Sequence, residues 1–168
     1  MVLIRPMSSA DLEQVLAIDH MSFSMPWPAS AYNYELNENP LSLLWVAETG
    51  LPAQNRRIVG LLVLWLIVDE AHIATLAVHP DHRGQGIAQR LIRVALKEAI
   101  LKGMSAATLE VRANNLAAQN LYRQFGFEIV GNRPRYYRDN NEDAFIMTVS
   151  DLGPSYLDWL EKETPDES

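Results

Sequence analysis

The chain has 168 residues, 48% hydrophobic and 21% charged, which lies in the ordinary globular range and excludes a disordered or fibrous class. Its net charge of -7 argues against a nucleic-acid partner, because phosphate binding draws on clustered Lys and Arg, and suits a peptide with a positive amino end better. Cysteine is absent, which excludes a disulfide framework, a thiolate metal site and an acyl-cysteine intermediate.

The length suits one domain. The start, Met-Val-Leu-Ile-Arg-Pro, has neither a basic leader nor a small-residue cleavage site. The longest apolar run, Ile58 to Val68, is interrupted by Gly60 and falls short of the roughly 20 residues that span a bilayer. A cytoplasmic protein with no membrane partner is expected.

Val2 to Arg5 is a short β-branched run closed by Pro6 and reads as a first strand. Ser8 and Ser9 can cap a helix in which Leu12, Val15 and Leu16 recur at helical spacing to about Ile18 or beyond. Phe23-Ser24-Met25-Pro26-Trp27-Pro28 breaks the chain, and Pro28 suits the first turn of a second helix that carries Tyr32 and Leu36. Ser42 to Ala47 and Ile58 to Val68 predict an antiparallel hairpin with a polar turn over Thr49 to Asn55. A third strand, Ala71 to Val78, ends at His79-Pro80. A helix follows from about Ile87 to Lys102, with Ile87, Leu91, Val94, Ala95 and Ala99 as its buried stripe and Gly103 as its stop. Thr108 to Val111 reads as a strand, Leu116 to Phe125 as a helix stopped by Gly126, and Phe127 to Val130 and Ala144 to Val149 as two last strands. Tyr156, Leu157 and Leu160 allow a short docked helix before a frayed acidic tail.

The chemistry centres on a strand, a glycine-rich turn and a helix. In Arg83-Gly84-Gln85-Gly86-Ile87-Ala88 the glycines permit positive φ and let backbone N–H groups approach an anion, and the following helix adds unpaired donors and the positive end of its dipole. Arg83 supplies a permanent charge at the edge. On these residues alone the segment is either an anion cradle or a plain strand-to-helix turn. It lacks the Gly-Lys-Ser/Thr ending of a Walker A loop, and Gln89 stands where the dinucleotide fingerprint needs its third glycine.

Arg83-x-x-Gly86-x-Ala88 resembles the Q/R-x-x-G-x-G/A signature of the GNAT (Gcn5-related N-acetyltransferase) superfamily, with Val78-His79-Pro80 leading into it. Leu109-Glu110-Val111-Arg112-Ala113-Asn114-Asn115, Ala118, Leu121-Tyr122, Gly126-Phe127 and Glu142 to Met147 resemble the second half of that fold. The set is similar to the bacterial RimI-type enzymes, which acetylate the terminal alanine of a ribosomal protein. The resemblance covers Val2 to about Val149. It implies an α/β fold, a single GNAT-type domain over residues 1–150 with a largely antiparallel mixed sheet flanked by helices, and a tail over 151–168. It also implies acetyl-CoA as co-substrate, no metal, and a protein or peptide N-terminus as acceptor. The motif alignment implies cofactor contacts at Leu76, Ala77 and Val78, at Arg83, Gly84, Gln85, Gly86, Ile87, Ala88 and Gln89, and at Asn115.

Without cysteine, direct attack of the amine in a ternary complex is the simpler route. An α-amine titrates at about 8 and a lysine side chain at about 10.4, so holding lysine neutral at pH 7 costs about 3 kcal/mol more. By resemblance Glu110 is the proton acceptor and Tyr122 the proton donor to the coenzyme A thiolate. An ordinary glutamate titrates at about 4.3 and is a poor base, so burial must raise Glu110 or a water must bridge. The alternative for Glu110 is a strand-end carboxylate paired with Arg112 or a solvent-facing lysine; for Tyr122 the pattern alone favours a core aromatic beside Leu121 and Phe125, and the motif reverses this. Tyr136 and Tyr137 lie in the loop where relatives hold the peptide backbone, and are candidate substrate-binding residues or ordinary strand-end aromatics. Phe23 and Trp27 could wall the same groove but are read as core packing, and His20, His72, His79 and His82 as surface or strand residues without metal-ligand spacing. Acetylation of a small-molecule amine, or a non-catalytic acetyl-CoA sensor, remain alternative readings.

Overall fold

The computed structural model describes residues 1–50 and 55–162. Among these the chain order is β1 (Val2–Pro6), α1 (Leu12–Ser22), α2 (Ala29–Asn37), β2 (Ser42–Thr49), β3 (Arg57–Ile67), β4 (Glu70–Val78), α3 (Ile87–Leu101), β5 (Ala106–Arg112), α4 (Leu116–Arg123), β6 (Glu128–Tyr137), β7 (Glu142–Val149) and α5 (Pro154–Lys162). Hydrogen bonding orders the strands β1-β2-β3-β4-β5-β7-β6. The β4·β5 pair is parallel, whereas β1·β2, β2·β3, β5·β7 and β6·β7 are antiparallel, which is the expected mixed, largely antiparallel sheet. Contacts gather into two compact units, Met1–Trp65 with Ile73–Ala95, and Leu66–His72 with the chain from Leu96 onward.

In the first unit, Ser8 and Asp11 form a capping box, so a short 3-10 turn over Ser9–Asp11 leads into α1. The Arg5 guanidinium donates to both Asp11 oxygens at 2.8 Å and also to Glu48, which ties β1 to β2 and to the entry of α1. Arg5 thereby holds the Asp11 carboxyl below its ordinary range. Val15, Ile18 and Tyr32 pack against Leu44, Val46, Leu61 and Val63 to make the core. Buried Asp19 accepts the Trp27 N–H at 2.7 Å and the Tyr32 hydroxyl at 3.2 Å, which fixes the proline-rich break between α1 and α2. Trp27 stacks on Trp65 with centroids 6.1 Å apart and belongs to the core as expected, but Phe23 is 38% exposed and does not. The residue after α1 is Phe23, whose extended backbone turns it away from the helical stripe.

The β2·β3 ladder shifts register between Ala47 and Glu48, leaving Val59 as an extra residue. The Val59 carbonyl accepts the His79 N–H at 2.8 Å, anchoring the end of β4. Gly60 is no simple interruption of an apolar run. A Cβ there would meet Ile87 Cγ2 and Leu91 Cδ1 at 3.2 Å, so glycine makes room for the start of α3. The predicted hairpin forms, while residues 51–54 of its predicted turn lie outside the described residues.

The buried face of α3 is wider than the predicted stripe. Ile92 and Leu96 are buried as well, and Val94 is only half-buried, because a broad apolar arc needs neighbouring positions at each turn. Gly103 and Gly126 end α3 and α4 with φ of +84° and +87°. In the second unit β5 alternates cleanly, with Ala107, Leu109 and Val111 buried and Thr108, Glu110 and Arg112 on the opposite face.

Strand β6 runs to Tyr137, well past the predicted Val130, and Tyr136 and Tyr137 end this strand rather than sit in a loop. As an edge strand exposed on both faces it carries no hydrophobic alternation, and Pro134 occupies a stretch where the register is irregular. Beyond Val149 the chain forms α5, with Leu160 buried and the Tyr156 hydroxyl donating to the Phe125 carbonyl at 2.5 Å. Residues 163–168 of the predicted frayed tail lie outside the described residues.

Candidate active site

In the first unit, β4 delivers the chain into the glycine-rich loop. Leu76 is half-buried, Ala77 and Val78 are buried, and all three lie beyond the last pair of the β4·β5 ladder, His72↔Thr108. His79 Nδ1 accepts the Asp81 N–H at 3.1 Å and starts a 3-10 turn over Pro80–His82. Arg83 Nε then donates to the Val78 carbonyl at 3.1 Å, so this arginine braces the strand end as well as charging the loop. Gly84 and Gly86 have φ of +77° and +80°, and a Cβ at either would have no heavy atom within 4 Å. Glycine is therefore required by backbone conformation, and the space beside it is open. Helix α3 begins at Ile87, leaving the N–H groups of Ile87, Ala88 and Gln89 without acceptors one turn earlier. Buried Ile87 pins this helix end under Gly60 while Arg83, Gly84 and Gln85 stay exposed. The result is a rigid array of backbone donors with a permanent cation beside it, suited to a phosphate-bearing ligand.

In the second unit, His72↔Thr108 pairing puts His72 on the polar face of β5, within diagonal reach of Glu110. His72 Nε2 lies 2.7 Å from Glu110 Oε2, and Arg133 Nε lies 3.6 Å from Glu110 Oε1. The hydrogen bond from His72 chiefly, with the charges of His72 and Arg133, holds the Glu110 carboxyl below its ordinary value despite partial burial. This corrects two expectations. Glu110 is not a glutamate raised by burial, and its partner is not Arg112, which binds Asp139 at 3.0 Å and Glu142 at 3.3 Å instead. His72 was legible only as a strand residue, although its polar position between buried Ala71 and Ile73 was a signal that it faces away from the core.

Tyr122 is buried in α4 with its ring 5.7 Å from that of Phe127, and burial pushes its phenol up from its ordinary value. Asn115 caps α4, its side-chain oxygen accepting the Ala118 N–H at 3.1 Å, which leaves its amide N–H₂ group for another acceptor. Tyr136 packs edge-on to Tyr137 at 5.1 Å, and the Arg112 guanidinium stacks 3.9 Å from the Tyr137 ring centroid. Burial pushes Tyr137 up to about 12. Among the described residues no group of His, Cys, Asp or Glu could hold a metal ion, and no helix is long and apolar enough to cross a membrane.

Residues 12–127 match the model of the acetyltransferase (GNAT) family. A Bacillus subtilis protein named as a candidate ribosomal protein bS18-alanine N-acetyltransferase is 36% identical over 88% of this chain and 94% of its own. The N-alpha-acetyltransferase RimI of Mycobacterium tuberculosis is 34% identical over 92% of this chain and 96% of its own. The crystal structure of the Escherichia coli ribosomal-protein-S18-alanine N-acetyltransferase superposes with a TM-score of 0.78 at 28% identity, covering 90% of this chain and 94% of that one. With the glycine-rich turn and the polar face of β5 both within the matched residues, the chain belongs to the acetyltransferase (GNAT) family and is an N-acetyltransferase.

Proposed function

We propose that the chain moves the acetyl group of acetyl-CoA to the α-amine of a protein N-terminus in one direct step, with a ribosomal protein beginning in alanine as the first acceptor to test. The names of the B. subtilis and E. coli relatives support that acceptor. The observation that carries the reading is the His72–Glu110 pair at 2.7 Å. An incoming α-ammonium must shed a proton before it attacks. A carboxylate held below its ordinary pKa is a weak acceptor by itself, but beside an imidazole it orients the ring and stabilises the imidazolium that forms. In this reading the His72–Glu110 pair takes the proton. The amine nitrogen then bonds to the thioester carbonyl carbon, the carbon–sulfur bond breaks, and the nitrogen sheds its second proton to solvent, from which the Tyr122 phenol regains the proton it gives to the thiolate.

Tyr122 receives the departing thiolate. Because burial raises its phenol, Tyr122 stabilises the sulfur by donating a hydrogen bond, and the proton follows late. Leu76, Ala77 and Val78 supply backbone groups to the pantetheine arm. The N–H groups of Gly84 to Gln89 with Arg83 hold the pyrophosphate, and Asn115 contacts the cofactor. Tyr136 and Tyr137 hold the acceptor backbone. The same reading assigns the activity to residues 1–150, gives the tail no chemistry, and places the protein in the cytoplasm without nucleic acid or membrane as partner.

The test incubates the protein with acetyl-CoA and peptides differing in their first residue, together with free lysine and polyamines. Acetylation of the peptide α-amine, strongest for alanine, is expected. Acetylation of lysine or polyamines alone overturns the reading in favour of a small-amine enzyme, and no turnover with any amine favours a sensor.

A further inference from the structure

Arg112 closes β5, and its side chain does something that neither the acetyl transfer nor the fold accounts for. Its Nη1 donates to Asp139 Oδ1 at 3.2 Å, Asn140 Oδ1 at 3.3 Å and Glu142 Oε1 at 3.3 Å, and its Nη2 donates to Asp139 Oδ2 at 3.0 Å. The plane of the same guanidinium covers the Tyr137 ring at 3.9 Å. The β6–β7 turn is thus folded around one cation. Within it the Asn140 N–H donates to Asp139 Oδ1 and the Glu142 N–H to Asn140 Oδ1, each at 3.0 Å, while Asn141 sits at φ +55°. Remove the cation and two carboxylates, Asp139 and Glu142, face each other without their shared donor.

We infer that Arg112 is a positioning residue for acceptor binding: its guanidinium clamps the β6–β7 turn and the Tyr137 ring, and through that ring sets Tyr136. The inference rests on the reading of Tyr136 and Tyr137 as acceptor-binding residues. Tyr136 is the more exposed of the pair; it leans edge-on against Tyr137 at 5.1 Å and 86°, with the Arg133 guanidinium 5.8 Å from its own ring centroid, so Tyr137 is one of the two groups that set its direction. The far side of the hairpin has its own anchor, the Arg135 N–H donating to Asp143 Oδ1 at 2.9 Å, where Arg135 takes φ +50°. Glu142 also reaches the other way, its Oε2 accepting the Asn114 N–H at 2.8 Å next to the cap residue Asn115. The clamp therefore joins the acceptor tyrosines to the entry of α4.

An isolated surface ion pair adds little. Here one planar cation makes hydrogen bonds to three side chains and stacks on a ring, a combination that the point charge of lysine cannot reproduce. A clamp that orders the acceptor tyrosines before binding lowers the ordering cost of binding itself, so its loss shows in acceptor KM rather than in the chemical step.

Arg112→Lys and Tyr137→Leu, singly and together, are to be assayed with acetyl-CoA and a short peptide beginning with alanine, with Tm recorded for each. Arg112→Lys is expected to raise the peptide KM about tenfold, equivalent to about 1.4 kcal/mol, with kcat and the acetyl-CoA KM changing by less than about twofold. In the Tyr137→Leu background the same change is expected to add little. Asp139→Asn, a milder change in the exposed turn, is expected to raise the peptide KM about threefold by loosening the fork. An unchanged peptide KM in both Arg112→Lys and Asp139→Asn overturns the clamp, as does a joint fall of kcat, acetyl-CoA affinity and Tm, which marks a structural role only. If Tyr137→Leu and Tyr136→Leu both leave the peptide KM unchanged, the acceptor reading itself has failed. If they raise it while neither Arg112→Lys nor Asp139→Asn does, only the clamp has.

Discussion

Replacing Glu110 with glutamine tests how the acceptor loses its proton. The substitution keeps the shape but removes the charge that faces His72 at 2.7 Å and Arg133 at 3.6 Å. With its pKa lowered in the fold, Glu110 is a carboxylate at every pH above its ordinary value, so its own titration contributes nothing between pH 6 and 9. The substrate amine does titrate over that window. A free α-amine titrates at about 8, so at pH 6 about 1% of it is neutral, a handicap of about 2.7 kcal/mol. In the proposed mechanism the pair removes this handicap by accepting the ammonium proton. For the wild type, kcat/KM then depends less steeply on pH than the neutral fraction of the amine does, and falls above about pH 8 as the ammonium form is depleted. Glu110→Gln is left with the neutral amine alone. Its kcat/KM is expected to climb with about unit slope from pH 6, where it lies furthest below wild type by at most about 100-fold, to within a few-fold of wild type at pH 8. Initial rates at subsaturating peptide and saturating acetyl-CoA give these profiles. A wild-type profile that climbs with unit slope to about pH 8, unchanged by Glu110→Gln, refutes proton acceptance by the pair.

Tyr122→Phe removes the hydroxyl and keeps the ring against Phe127, so kcat is expected to fall by about 10- to 100-fold with coenzyme A affinity nearly intact, measured by steady-state rates and calorimetric titration. An unchanged rate removes Tyr122 from the mechanism. Gly60→Val forces a side chain into the space of Ile87 and Leu91, whose atoms lie 3.2 Å from the added Cβ, and is expected to cost about 1 to 3 kcal/mol and lower Tm. Because Ile87 pins the loop end, the acetyl-CoA KM is expected to rise with it, while a Tm and KM like those of wild type contradict the anchoring role.

Much of the fold was legible because local signals agreed. Pro28 before α2, Gly103 after α3 and Gly126 after α4 each stand where backbone geometry admits little else, and the strands with one buried face announced themselves by β-branched runs. The misses share a physical cause. β6 is an edge strand exposed on both faces, so Asn132-Arg133-Pro134-Arg135 carries loop-like composition and its last residues were read as loop. Gly60 looked like an interruption because the constraint on it comes from α3, which follows it in the chain by more than twenty residues. For the candidate site, the glycine loop and the residues of β5 and α4 sit in contiguous motifs and were readable. The partners of Glu110 were not. His72 and Arg133 come from β4 and β6, and only the β4·β5 and β6·β7 registers bring them to one carboxylate.

These registers also explain why the two units should answer to different substrates. The first holds the backbone donors of Gly84 to Gln89, which the proposed function gives to acetyl-CoA, so substitutions there are expected to act on acetyl-CoA through geometry. The second holds His72, Glu110, Tyr122 and the two tyrosines of β6, to which the proposed function gives proton movement and the acceptor, so substitutions there are expected to act on those steps. Asn115 is the exception, a proposed cofactor contact in the second unit. Its neighbour Asn114 donates to Glu142, which also accepts from Arg112. A change at Glu142 therefore separates two outcomes. If Glu142→Gln raises the peptide KM alone, the turn acts only on the acceptor. If it raises the acetyl-CoA KM as well, the same hydrogen-bonded hinge sets both substrates.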